Sequence, residues 1–354
     1  MMTTEPDKKI TYAISHDETG GCLFLLGKLD APNIVLTCAG FPDDHSSFTP
    51  LARRLAEHSN CLVGVICLPG YDDRPEKPWK THPADGFTFT EWTVSLREAA
   101  KVLKSQSTHP KATFTGIFHD WGVVAGLMFT NRALKEEAAV AAASGDKVKK
   151  QQEQYYAPDR LVLFDVCLSP HPKTPNVPIP PKKTLLSKFY NAAALTGYRV
   201  VLGSSFLTRR YVSAALAKLF LGVGFATLSL LGLNPLCNFD LELLKKERKD
   251  TDRLIYMSYP YFTPLQFLWN GRILQEFSGA CLPKDLVVTP VLYLYGIDKN
   301  VHFHDNASVC LLQQEHAQRR NSHAIPVQEA GHWLYRQQED FCFTQVDKFI
   351  HESN

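Results

Sequence analysis

Two residues stand where the order of elements lets a side chain do chemistry. Asp120 directly follows the apolar run Thr113–Phe118 and directly precedes Trp121-Gly122 and a small-residue stretch with helical spacing. A carboxylate at such a turn stands above the end of a sheet, beside the amides of a helix N-terminus, which favour negative charge. The simpler reading is an Asp that only caps the helix. His332 follows Gly331 after a later apolar run, and one such His is by itself as often structural as catalytic.

The elements that must position these residues alternate. Lys9–Ser15 and Cys22–Leu29 read as a leading antiparallel pair. Asn33–Ala39, Leu62–Leu68, Thr113–Phe118 and Arg160–Leu168 are short apolar runs that suit strands buried on both faces. Helical patterns fall at Thr49–His58 and Thr90–Ser105, and Asp72–Pro83 reads as a loop. A polar, Ala-rich stretch at 136–158 reads as a surface insertion. Six prolines between Pro170 and Pro181 mark a boundary, after which the chain looks helical to about Leu286. Alternation resumes with a strand at Pro290–Tyr295, a helix near Asn306–Arg319, a strand near Ala324–Gln328 and a last helix from about Glu339. The expected architecture is α/β, with a mostly parallel central sheet flanked by helices at 1–168 and 289–354, and an inserted helical cap at 169–288.

Composition narrows the function classes. The 354 residues are 45% hydrophobic and 21% charged, with a formal net charge of +2, a profile of folded chains without the basic bias of nucleic-acid binders. The nine cysteines are widely spaced, without a CxxC pair or a zinc-like cluster, and read as reduced, mostly buried thiols. No metal or organic cofactor is expected. MMTTEPDKKI has no apolar segment of the kind a secretory signal needs, so the expected location is cytoplasmic. Leu219–Phe239 is a 21-residue run without a charge. It reads first as a buried helix or lid segment, with a membrane-dipping surface and a true span as the other readings.

Four local motifs carry a resemblance. They are Ala39-Gly40-Phe41-Pro42, Pro69-Gly70-Tyr71, Phe118-His119-Asp120-Trp121-Gly122 and Gly331-His332. In order and spacing they are similar to those of α/β-hydrolases of the epoxide hydrolase and haloalkane dehalogenase branch, and the helical insertion falls where that branch carries its cap. The resemblance implies Asp120 as the nucleophile that forms an alkyl-enzyme ester. It implies His332 as the base that activates water, and the amides of Trp121 and Phe41 as the oxyanion hole. The third member would be Asp298, one position short of the family's usual place, which Lys299 occupies. Asp165 is the alternative, then Asp305 or no acid. Cap tyrosines would assist ring opening. Among Tyr190, Tyr198, Tyr211, Tyr256, Tyr259 and Tyr261, the nearest substitutes for the family pair are Tyr259 and Tyr261, because Gly271 stands where the second tyrosine is expected. Trp269 is a further cap residue that could donate to a halide.

The sequence also departs from the branch. Ala39 replaces the usual His, and Phe118 replaces the small residue two before the nucleophile. The expected function is therefore that of a divergent hydrolase that opens an apolar, lipid-like epoxide to a diol. The alternatives are haloalkane dehalogenation, ester hydrolysis, or a catalytically silent fold used for binding or scaffolding. The expected partner is a small apolar substrate and no nucleic acid, with peripheral membrane contact through the cap and the oligomeric state left open.

Overall fold

Short apolar runs such as NIVLTC, CLVGVI and RLVLF are buried at every position, so each must be covered on both faces. The computed structural model describes residues 10–13, 22–71, 86–143, 156–174, 177–178, 184–247, 251–269, 271, 277–299, 301–318 and 321–352. The runs form an eight-stranded sheet in the order β1-β2-β4-β3-β5-β6-β8-β10. Its strands are β1 (Ile10–Ala13), β2 (Cys22–Leu26), β3 (Asn33–Cys38), β4 (Cys61–Ile66), β5 (Thr113–His119), β6 (Arg160–Phe164), β8 (Val291–Gly296) and β10 (His323–Val327). β1 and β2 pair antiparallel, β2 is antiparallel to β4, and the other neighbours are parallel. A separate parallel pair joins β7 (Val166–Cys167) to β9 (Phe303–His304).

Helices close both faces. On one, α2 (Phe89–Gln106) and α3 (Trp121–Ala143) pack Leu96, Leu103, Val124 and Leu127 onto Ile34, Leu36 and Phe114. On the other, α1 (His45–His58) and the last helix, Glu339–His351, pack Phe48, Leu51, Val346 and Phe349 onto Val35 and Ile117. The alternation of Ile34, Val35 and Leu36 between the two clusters follows from the two-residue period of a strand. The helix expected from Thr49 begins at His45, because the Asp44 side chain accepts from the Ser46 amide at 2.8 Å and caps it.

Between β7 and β8 the described residues hold no strand. They form α4 (Leu185–Tyr211), α5 (Ala214–Leu230), α6 (Asn238–Glu247), α7 (Thr251–Met257) and α8 (Tyr259–Trp269). These helices are tied to the sheet domain by polar contacts: Tyr71 Oη donates to the Met257 carbonyl at 3.0 Å and Arg253 meets Asp44 at 2.8 Å. After β8 come β9, α9 (Asn306–Ala317), β10, α10 (Leu334–Gln337) and α11 (Glu339–His351).

Two readings of the sequence change. The run Arg160–Leu168 is not one strand: it breaks at Asp165, whose φ of 62° turns the chain before β7. The uncharged run from Leu219, read first as a buried helix or lid segment, lies in the helical insertion but is not buried. Its first part lies in α5, whose Leu219, Phe220, Val223 and Leu230 are exposed, because α5 packs only one narrow stripe inward. Among the described residues no helix is long and apolar enough to cross a membrane. Lys9, the loop Asp72–Pro83, residues 144–155 of the 136–158 stretch, Arg272 and the side chain of Trp269 lie outside the described residues.

Candidate active site

The site begins with two aspartates in a backbone conformation that L-residues rarely adopt. Asp120 (φ 51°) ends β5 and Asp165 (φ 62°) ends β6, the strand beside it. Asp and Asn tolerate the left-handed region better than other side chains with a Cβ. In both cases the turn lifts a carboxylate above the C-terminal edge of the parallel strands, where open α/β sheets bind ligands.

His332 links them. Its Nε2 lies 3.5 Å from Asp120 Oδ1 and its Nδ1 lies 2.6 Å from Asp165 Oδ2. The carboxylate in contact with His332 Nδ1 is Asp165 and not Asp298. Asp298 lies in the turn after β8, where its Oδ2 accepts from the Glu329 amide at 2.6 Å. Asp305 caps α9 through the Ala307 amide. Lys299 fills the position where the acid was expected and turns inward. Its ammonium is buried against Asp165 Oδ1, so the two carboxylate oxygens serve two different cations.

The electrostatics follow from that chain. Burial alone would lower the His332 pKa, but hydrogen bonds to Asp120 and Asp165 outweigh it and raise the value to about 10. Burial would raise the Asp165 pKa, but Lys299 and His332 hold it well below the ordinary carboxylate range. His119 shows the opposite balance. It is fully buried and beside His332, and its pKa falls to about 4. Its Nε2 donates to the His332 carbonyl at 3.0 Å. The His332 amide donates to Asp240 Oδ1 at 2.7 Å, so the cap helix α6 helps to fix the loop that carries the histidine.

The other face of Asp120 meets backbone. Oδ2 accepts from the Phe41 amide at 2.8 Å. Gly40 makes this approach possible: a Cβ there would stand 2.5 Å from Asp120 Oδ2 and 2.3 Å from the Trp121 amide nitrogen. The amides of Phe41 and Trp121 therefore border the same carboxylate, and Oδ1 is left facing His332.

Phe118 is accommodated by paired small residues. Its ring lies where a Cβ on Gly126 would approach within 2.3 Å and one on Gly116 within 2.6 Å. The bulk two residues before Asp120 is thus absorbed sideways, between β5 and α3, without displacing the turn.

From the cap, Tyr261 and Tyr198 lean over Asp120. Their hydroxyls are 3.1 Å apart, and the Tyr261 ring packs edge-on to Phe41 at 5.2 Å and to Trp121 at 5.4 Å. Burial is the main force that raises both phenol pKa values, and the charge of Asp120 raises them further, so both remain neutral donors. Tyr259, expected with Tyr261, is not part of this pair. Its hydroxyl donates to the Pro69 carbonyl at 2.7 Å and accepts from Trp92 Nε1 at 2.8 Å, which makes it a buried strut. Sequence reading had Tyr198 among six cap tyrosines with nothing to single it out. It missed Asp240 and Lys299, whose partners lie on distant segments.

Solved structures share this frame. The chain is similar to an epoxide hydrolase from metagenomes of hot environments, with 14% identity, 99% of this chain and 100% of that chain covered, and a TM-score of 0.51. It is similar to a haloalkane dehalogenase loop variant from Bradyrhizobium elkanii, with 14% identity, 96% of both chains covered and a TM-score of 0.52. The chain has the α/β-hydrolase fold. An epoxide hydrolase from Vigna radiata also aligns, with 14% identity over 99% of both chains and a TM-score of 0.50. No family model matches the α/β-hydrolase-fold chain, and no curated protein does. Among the described residues, no group of three or more His, Cys, Asp or Glu side chains could hold a metal ion.

Proposed function

We propose that the protein is a hydrolase of the epoxide hydrolase and haloalkane dehalogenase branch, and that it opens an apolar epoxide to a diol through an aspartyl ester. Asp120 Oδ1 attacks a ring carbon, the carbon–oxygen bond breaks, and the departing oxygen takes a proton from the Tyr198–Tyr261 pair. His332 then takes a proton from water, and the hydroxide adds to the ester carbon. The negative charge on Oδ2 is held by the Phe41 and Trp121 amides. The adduct collapses, its hydroxyl proton passes to the departing alkoxide, and the diol leaves with the Asp120 carboxylate and protonated His332 restored. Asp165 accepts from His332 Nδ1 and fixes the tautomer that leaves Nε2 facing Asp120.

The observation that carries this reading is the continuous chain Asp165–His332–Asp120 beneath two neutral phenols. Phenols donate well to an oxygen leaving group. The charge state of His332 supports the order of steps. While Asp120 is ionised, His332 is held protonated and cannot act as a base. Ester formation removes that negative charge, the His332 proton then passes to the phenolate left by ring opening, and the neutral imidazole is free to take a proton from water.

The test is a single turnover in ¹⁸O-water with lipid and aryl epoxides, read at both the diol and the peptide that contains Asp120. Label in the Asp120 carboxylate, and loss of label and turnover in Asp120→Ala protein, is the expected result. Diol formed without label there overturns the covalent route. Turnover of a haloalkane panel but of no epoxide would move the assignment to dehalogenation, and no ester trapped in His332→Gln protein with either panel would favour a binding protein.

A further inference from the structure

The outer helices of the cap present an apolar surface that the reaction does not use. α4 and α5 form an antiparallel hairpin. Tyr190 bonds the Gly232 carbonyl at one end, Gly224 lies against Val201 in the middle, and the chain turns at Tyr211–Ser213. α5 is outermost: only Ala217, Leu221 and Leu228 are buried, and Phe220 is 50% exposed, Val223 57% and Leu230 88%. Leu185 and Phe189 of α4 extend the surface at the end where Leu230 and Leu231 lie. At about 1.5 Å per residue the ridge is roughly 25 Å long. Contiguous exposed apolar area of this extent marks an interaction surface.

Charge indicates what covers it. From Leu185 to Phe239 there are five cations, Lys188, Arg199, Arg209, Arg210 and Lys218, and no Asp or Glu. One carboxylate from α7, Asp252, meets both Lys218 at 2.9 Å and Arg209 at 3.9 Å. Arg199 and Arg210 are exposed. A second copy seated on the same face would bring these cations against their own kind, which is unfavourable. An exposed apolar ridge on helices that themselves carry cations and no carboxylate matches the boundary of a bilayer with anionic headgroups.

We propose that the α4–α5 hairpin is a docking surface for anionic membranes, lying flat in the interface without crossing it. Phe220, Val223 and Leu230 enter the acyl boundary, and Arg199 and Arg210 meet the headgroups. α4 is shared between the two surfaces: its inward Tyr198 belongs to the candidate site, so docking sets that site beside the lipid. The docking surface rests on no step of the reaction, and its test is read without turnover.

The test is flotation of the purified full chain with phosphatidylcholine vesicles, with and without phosphatidylserine. Phe220→Glu/Val223→Glu/Leu230→Glu protein and Arg199→Glu/Arg210→Glu protein are compared, with thermal melts to verify folding. The wild type is expected to float with the phosphatidylserine vesicles. Either variant, or vesicles without phosphatidylserine, should reduce binding about tenfold or more. Raising the salt should weaken the wild type, as screening requires. Wild-type protein that floats with neither vesicle overturns the proposal. So does a micromolar dimer, seen by light scattering, that the triple substitution converts to monomer, since the face would then be covered by a second copy.

Discussion

Replacing Asp120 by Asn removes one negative charge next to His332 and keeps the shape of the side chain. At the observed 3.5 Å, two unit charges in a medium of effective dielectric about 20 attract by roughly 5 kcal/mol. That corresponds to about 3.5 pKa units, and solvent at the 14%-exposed Asp120 side chain reduces it. The His332 pKa should therefore fall from about 10 by about two units or more. The assay is a ¹⁵N-histidine NMR titration, with the His332 signal among the thirteen histidines assigned by its loss in His332→Gln protein. Stability supplies a second reading. In the wild type the folded pKa lies above the unfolded value of about 6.5, so the stabilisation is complete below that pH and is lost as pH rises through about 10. In Asp120→Asn protein the loss should occur at lower pH. A wild-type His332 that titrates near 6.5, or a titration unmoved by Asp120→Asn, refutes the coupling. It would also remove the argument that ester formation creates the base.

Three further outcomes test separate parts of the site. Lys299→Met should destabilise the fold by about 3 kcal/mol, because it strips a buried carboxylate of one counter-charge; Lys299→Met/Asp165→Asn should recover part of that loss in a denaturant titration, and no recovery would mean that the pair is not the cause. Tyr198→Phe and Tyr261→Phe should each slow ester formation by about ten- to a hundredfold, and the double variant by more, measured as the single-turnover burst with an epoxide, while equal rates in all forms would remove the phenols from the leaving-group role. Gly126→Ala should cost about 1–3 kcal/mol by overpacking against the Phe118 ring, and Phe118→Leu in the same chain should relieve it in thermal melts.

What the sequence made legible is what local chemistry determines. Short buried runs of β-branched and aliphatic residues, bounded by turn residues and alternating with helical patterns, suit strands covered on both faces, so a mostly parallel sheet was expected, with a strand-to-helix turn at Asp120. What it did not make legible depends on partners distant in the chain. Asp165 and Asp298 are both carboxylates near strand ends. They are told apart only by a 2.6 Å contact to a ring 167 residues away. The expectation for Asp298 came from position along one loop, whereas contact with the His332 ring needs a charge at one point in space. That point can be supplied from the end of β6 as well as from the turn after β8. Once Asp165 occupies it, a second acid at 299 would repel the first, whereas a lysine there neutralises it. Lys299, which in sequence looks like a missing acid, is in the structure the counter-charge of Asp165. Tyr198 follows the same logic. Six cap tyrosines are equivalent in sequence, and burial over Asp120 selects two, one on α4 and one on α8. The Asp165–Lys299 pair balances buried charge beside His332, and Gly116 and Gly126 leave room for the Phe118 ring, so residues that look like departures when read one at a time fit the same local geometry.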